Sequence, residues 1–123
     1  MSVPVFVLCL VALVVGPAFA EPPDTVFLEA MTWTELRAAI RAGKTTILVP
    51  IGGTEQNGPH MALGKHNARV KALSERVARG LGNALVAPVI AYVPEGGLSP
   101  ATGHMRFPGT ITVPDDAFQR VLD

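Results

Sequence analysis

Cysteine is almost absent. The chain has one, Cys9, and it falls inside the first apolar run. Downstream of that run no disulfide is available, and thiolate nucleophiles and cysteine-ligated metal sites are excluded. Net charge is missing too. Ten basic residues balance ten acidic ones with histidine neutral, which leaves no electrostatic footprint for nucleic acid or an anionic membrane. Internal repeats and low-complexity tracts are also lacking, because the eleven prolines and twelve glycines are scattered as turn punctuation. Histidine is scarce, with three in the chain, and two of these fall in the stretch "TEQNGPHMALGKHN" over 54–67.

The first twenty residues, "MSVPVFVLCLVALVVGPAFA", carry no charged side chain and end small-x-small at Ala18-Phe19-Ala20. That pattern predicts a secretory signal peptide over 1–20, cut after Ala20, and an exported protein, periplasmic or secreted. A retained membrane anchor is the alternative, against which stand the shortness of the run and its interruption at Gly16-Pro17. Residues 21–123 are then one domain by length.

The rest reads as alternating helices and strands, an α/β pattern. "TWTEL" at 32–36 is a capping box, with Thr32 as N-cap and Glu35 three residues on. The helix it opens ends at Gly43. "TTILVPI" over 45–51 is β-branched and almost wholly apolar, which predicts a strand buried on both faces in a parallel sheet. Val70, Leu73, Val77 and Leu81 recur at helical spacing and predict a helix over 66–81. A second strand is expected over 84–93, with Pro88 marking a bend or an edge. A long loop follows, then a short strand at "TITV" and a third helix from about Pro114. Two long strands make a poor parallel sheet, so the sequence reads as part of a larger domain or as one half of an oligomer.

The polar stretch at 54–67 begins where the first strand ends, the usual place for ligands in open α/β sheets. Glu55 sits nearest the strand, and His60 and His66 follow at spacings too irregular for one helix face. Glutamate and histidine without cysteine suit zinc, manganese or iron(II). Blander readings stand beside this one. Glu55 also reads as a solvated loop carboxylate and His60 as a turn residue. His66 and Asn67 also read as caps of the second helix.

"PIGGTEQNGPHMALGKHN" resembles the signature of the creatininase family of metal-dependent amidohydrolases. In that family a strand ending Pro-x-Gly-Ser leads into Glu-Gln-His-Gly-Pro-His-Leu-Pro-Leu and then a Thr-Asp pair. A second match, His104-Met105-Arg106-Phe107-Pro108-Gly109-Thr110, is similar to the family's His-x-x-Phe-Pro-Gly-Thr segment. Together they span roughly residues 32–123. The resemblance implies a three-layer sandwich with a mostly parallel sheet, of which this chain carries the first half. It also implies that the Glu, the following His and the later Asp of the motif are metal ligands.

Here Glu55 matches the Glu, Asn57 stands in place of the His and His66 in place of the Asp. The family's Asn-Gly-His motif would lie beyond Asp123. A carboxylate can bridge two metals, whereas a neutral imidazole offers one lone pair and an amide oxygen is a weak zinc ligand, so the two-metal arrangement is the part of the pattern that changes. The expected metal ligands are therefore Glu55, His66 and Asn57. The ion is zinc first, with manganese or iron next. His60 and His104 are expected near substrate or behind the ligands, and Glu95-Gly96-Gly97 with the Phe107–Thr110 turn as walls of the pocket. The functional expectation is a hydrolase of amide or cyclic amide C–N bonds in a small-molecule substrate, homo-oligomeric and exported. The alternatives are a scaffold or binding protein of the same fold without catalysis, and an incomplete piece with no activity of its own.

Overall fold

The computed structural model describes residues 24–123, so the leader expected over 1–20 lies outside the described residues. Five elements follow in chain order: α1 (Trp33–Arg41), β1 (Thr46–Leu48), α2 (Lys65–Leu81), β2 (Ala84–Val86) and α3 (Asp115–Leu122). Short 3-10 turns occupy Leu28–Ala30 and Gly103–Arg106.

The capping box of α1 forms as the sequence predicts. Glu35 N–H donates to Thr32 Oγ1 at 3.3 Å, and Thr32 N–H donates to Glu35 Oε2 at 2.7 Å. The start of α2 is different from the expectation. Its N-cap is Gly64, so neither His66 nor Asn67 caps the helix, and both side chains are free for contacts elsewhere. The N-cap of α3 is Pro114, with Asp115 and Asp116 in the first turn, where their charge favours the positive end of the helix dipole.

β1 and β2 pair in parallel, Thr46 with Ala84, Ile47 with Leu85 and Leu48 with Val86. Both strands are much shorter than the apolar runs that announce them. Pro50 and Pro88 carry no N–H and cannot extend a regular ladder. The two segments nevertheless run on together: Ala87 N–H donates to Leu48 O, Ile90 N–H to Pro50 O and Gly52 N–H to Ile90 O, each at 2.9 Å. This irregular continuation carries the chain from β1 to the start of the polar loop. Residues 111–113 form no strand. Ile111 N–H bonds Thr54 O at 2.9 Å and Val113 N–H bonds Val93 O at 3.3 Å, so the segment is stitched to two different neighbours.

The lead-in before α1 supplies an edge that its sequence does not advertise. Val86 N–H donates to Val26 O at 2.8 Å, and Phe27 bridges Val86 in parallel. β2 is thus central, and all three of its residues are buried. The core is small: Val26, Ala78, Ala84 and Val86, with Phe27 and Leu48 packed against them. α2 meets β2 through Ala78, whose lack of a larger side chain lets the helix lie close.

The expectation that β1 is buried on both faces does not hold. Ile47, Val49 and Ile51 are 49%, 47% and 44% exposed, whereas Leu48 is half-buried and Pro50 buried. Alternate residues of a strand point to opposite faces, and among the described residues only one face is covered. Leu73, Val77 and Leu81 of α2 are also about half exposed. Among the described residues no helix is long and apolar enough to cross a membrane.

Candidate metal and active site

The site is built on the backbone that leaves β1. Residues 52–56 turn away from the sheet, and Glu55 is carried inward until it is only 7% exposed. A buried carboxylate needs partners, and Glu55 has them on both oxygens. Oε1 accepts from Asn57 Nδ2 at 2.7 Å and from His66 Nε2 at 2.8 Å, with Lys65 Nζ at 3.4 Å. Oε2 faces His104 Nε2 at 3.1 Å.

The histidine tautomers follow from the partners. Arg69 Nη2 lies 3.1 Å from His66 Nδ1, and a guanidinium only donates, so Nδ1 accepts and Nε2 donates to Glu55. Both ring nitrogens of His66 are therefore engaged. Asn57 Nδ2 is also fixed, since it donates to Gln56 O at 2.7 Å as well as to Glu55. His104 differs. Its Nδ1 lies 3.1 Å from Gln56 O, which only accepts, so Nδ1 carries a proton, and Nε2 is the nitrogen turned to Glu55 Oε2.

Glu95 joins this group. One donor atom from each of Glu55, Glu95 and His104 lies within 4.8 Å of the others. The loop that brings Glu95 and His104 together is closed tightly: Gly97 N–H donates to Thr102 Oγ1 at 2.7 Å, Thr102 N–H to Gly97 O at 3.1 Å and His104 N–H to Glu95 O at 3.2 Å. Two glycines make the approach possible. At Gly53 (φ +145°) a Cβ would stand 2.6 Å from Glu95 Oε1, and at Gly96 (φ +135°) it would stand 2.3 Å from the carbonyl oxygen of Thr102.

The two carboxyls are shifted in opposite directions. Burial pushes Glu55 up, but hydrogen bonds from Asn57, Glu95 and His66 and the charge of His104 outweigh it and hold the group at about 2. Burial raises Glu95, and so do its hydrogen bond to Glu55 and the negative charge there. Glu55 is the member held ionised, and Glu95 is the more readily protonated of the two.

Of the residues singled out in the sequence, Glu55, His66, Asn57 and His104 converge. His60 does not: it is exposed, at the outer part of the loop. Glu95, expected as a pocket wall, contributes its carboxyl to the cluster. No periodicity could have placed it there, although its position between a strand and a Gly-Gly pair was visible. The wall is real on the other side. A cavity of about 440 Å³ is lined by Gln56, Pro59, Met61, Leu63, Phe107 and Pro108. It adjoins the cluster through Gln56, whose carbonyl orients His104.

The donor set fits a divalent ion: two carboxylates and an imidazole whose far nitrogen is anchored on a carbonyl, as ligating histidines usually are. Oxygen and nitrogen donors of this kind suit zinc, manganese or iron(II).

Residues 29–123 match the creatininase family, described as creatinine amidohydrolase. The chain is 34% identical over 89 residues to a creatinine amidohydrolase of Pseudomonas putida, covering 72% of this chain and 34% of that protein. It is 30% identical over 99 residues to a 3-dehydro-scyllo-inosose hydrolase of Thermotoga maritima, covering 80% and 29%. A mycofactocin precursor peptide peptidase of Mycolicibacterium smegmatis is 35% identical over 81 residues, covering 62% and 30%. Among solved structures, a mutant creatininase superposes with a TM-score of 0.70 at 30% identity, covering 80% of this chain and 38% of that one. A manganese creatininase gives 0.66 at 31% identity with the same coverage. The chain spans about a third of the length of the curated relatives it matches.

Proposed function

The chain belongs to the creatininase family, and from that premise we propose that it serves a metal-dependent hydrolase acting on an amide or cyclic amide C–N bond of a small molecule. The observation that carries this reading is the convergence of Glu55, Glu95 and His104 at the end of β1. These three would hold the ion, zinc before manganese or iron(II). Bound there, a divalent ion supplies Lewis acidity toward a carbonyl oxygen and makes a water acidic enough to attack it.

The chain's own residues prepare that chemistry. Asn57 and His66 hold Glu55 ionised and fix its orientation. Gln56 O fixes the ring of His104. The apolar walls from Met61, Leu63 and Phe107 keep water away from one flank of the site. The ligand set expected from the sequence, Glu55 with His66 and Asn57, is the rival arrangement. It requires the proton of His66 to move to Nδ1, against Arg69, and the Asn57 amide to turn over.

Bound metal per chain separates the two arrangements. Glu55→Gln and His104→Ala are expected to lose the ion, and Asn57→Ala to keep it. Loss in His66→Ala with retention in His104→Ala would return the assignment to the rival set. A second reading is a scaffold of the same fold without catalysis. It is favoured by one fact: protein groups alone satisfy Glu55. Absence of any divalent ion from purified, metal-supplemented protein selects it.

Export completes the proposal. The apolar leader ending Ala18-Phe19-Ala20 supports secretion with Glu21 as the new terminus. N-terminal sequencing of exported protein that still begins at Met1 would reject it.

A further inference from the structure

We infer that Asn67 is a positioning residue: from the first turn of α2 it grips the backbone that leads into Glu55 and so sets the geometry of the donor cluster. The inference rests on the metal-site reading above. Gly53 N–H donates to Asn67 Oδ1 at 2.9 Å, and Asn67 Nδ2 donates to Thr54 Oγ1 at 3.2 Å. One amide therefore holds two consecutive residues, and the next residue is Glu55.

The grip falls on a pair of glycines. Gly52 and Gly53 link the sheet to Glu55, and glycine has more backbone freedom than any other residue. Gly52 is also shaped to admit the amide: a Cβ there would stand 2.0 Å from Asn67 Oδ1 and 3.1 Å from Asn67 Cα. On the opposite side Ile111 N–H donates to Thr54 O at 2.9 Å and Gln56 N–H to Thr110 Oγ1 at 3.3 Å. Residues 53–56 are thus clamped between α2 and the segment that follows His104. Asn67 is not needed as a cap, since that place belongs to Gly64.

Cobalt(II) and zinc(II) titrations of the full chain test this, read as Kd and as the cobalt d–d spectrum. Asn67→Leu removes both hydrogen bonds at similar volume, and Gly52→Ala pushes the amide out. Both are expected to weaken binding roughly tenfold or more, as loss of supporting contacts around ligands does, and to alter the spectrum. Asn67→Asp restores both readouts, because its carboxylate accepts from Gly53 N–H and from the Thr54 hydroxyl. Asn67→Ala serves where the leucine variant fails to fold. Thr32→Ala, which weakens the cap of α1 far from the cluster, lowers Tm and leaves Kd and spectrum unchanged. A wild-type Kd and spectrum in Asn67→Leu or Asn67→Ala, or no rescue by Asn67→Asp, overturns the inference alone. A wild-type chain that takes up neither ion overturns the metal-site reading, and the inference falls with it.

Discussion

Asn57 and His66 donate to the same atom. Their Nδ2 and Nε2 lie 2.7 Å and 2.8 Å from Glu55 Oε1. These are the two ligand positions of the resembled motif at which the chain carries another residue, and both substituted side chains serve Glu55, the ligand of that motif that is kept. The metal-binding question therefore turns on Glu55 and on what else faces it.

Loss of one of these donors should register as stability. His66→Ala is expected to destabilise the fold by about 1–3 kcal/mol, the usual cost of removing a hydrogen bond to a buried charged group. His60→Ala, at an exposed position without a hydrogen-bond partner in the cluster, should stay within about 0.5 kcal/mol of wild type. Urea denaturation of the two variants checks both. Equal costs would remove the distinction between the histidines.

Gly96→Ala should disrupt the loop that presents Glu95 and His104. The backbone there is in the glycine-favoured region, and the new methyl would collide with the Thr102 carbonyl. Strain of this kind costs about 1–3 kcal/mol, and the displaced His104 should weaken zinc uptake at the same time. Calorimetry paired with metal analysis reads the two effects. A stable variant with full metal content would show that the loop adapts.

Glu35 gives a pH signature independent of the cluster. The Thr32 backbone N–H, then the Thr32 hydroxyl, hold its carboxyl below the ordinary value. A carboxyl lower in the folded chain than in the unfolded chain stabilises above its unfolded pKa, and that contribution is lost as pH falls through the folded one. The Tm difference between wild type and Glu35→Gln should be constant from neutral pH down to the ordinary carboxylate range and shrink below it. A difference that grows on acidification would contradict the capping geometry.

The uncovered apolar face predicts self-association of the chain on its own. Ile47, Val49 and Ile51 with Leu73 and Val77 border a groove of about 390 Å³ between β1 and α2. Exposed contiguous apolar surface of this kind favours association. Val49→Lys together with Val77→Lys should shift sedimentation toward the monomer. A wild-type chain that sediments as a monomer at high concentration would refute the prediction.

Local chemistry made much of this legible from the residues alone. The Thr32–Glu35 box, the apolar spacing of α2 and the glycines at 43 and 82 act within a few residues of themselves, so helix positions follow from sequence. Glu55, His66, Asn57 and His104 were likewise visible through their motifs. Strand lengths were not, because Pro50 and Pro88 interrupt the ladder in a way that depends on which strand lies alongside. The partner of β2 at Val26 and Phe27 was hidden for the same reason: a short edge segment has no period to read.

The cluster itself belongs to the tertiary structure. A loop with irregular spacing constrains no directions, so the sequence could nominate His66 and Asn57 as ligands without knowing where their atoms point. Long-range hydrogen bonds settle those directions. Gln56 O fixes the orientation of the His104 ring, Arg69 fixes the tautomer of His66, and the closed loop from Glu95 to His104 adds a carboxyl that the motif did not announce. Sequence determined which chemical groups are present near the end of β1; folding decided which of their atoms face one another, because that depends on contacts between residues far apart in the chain.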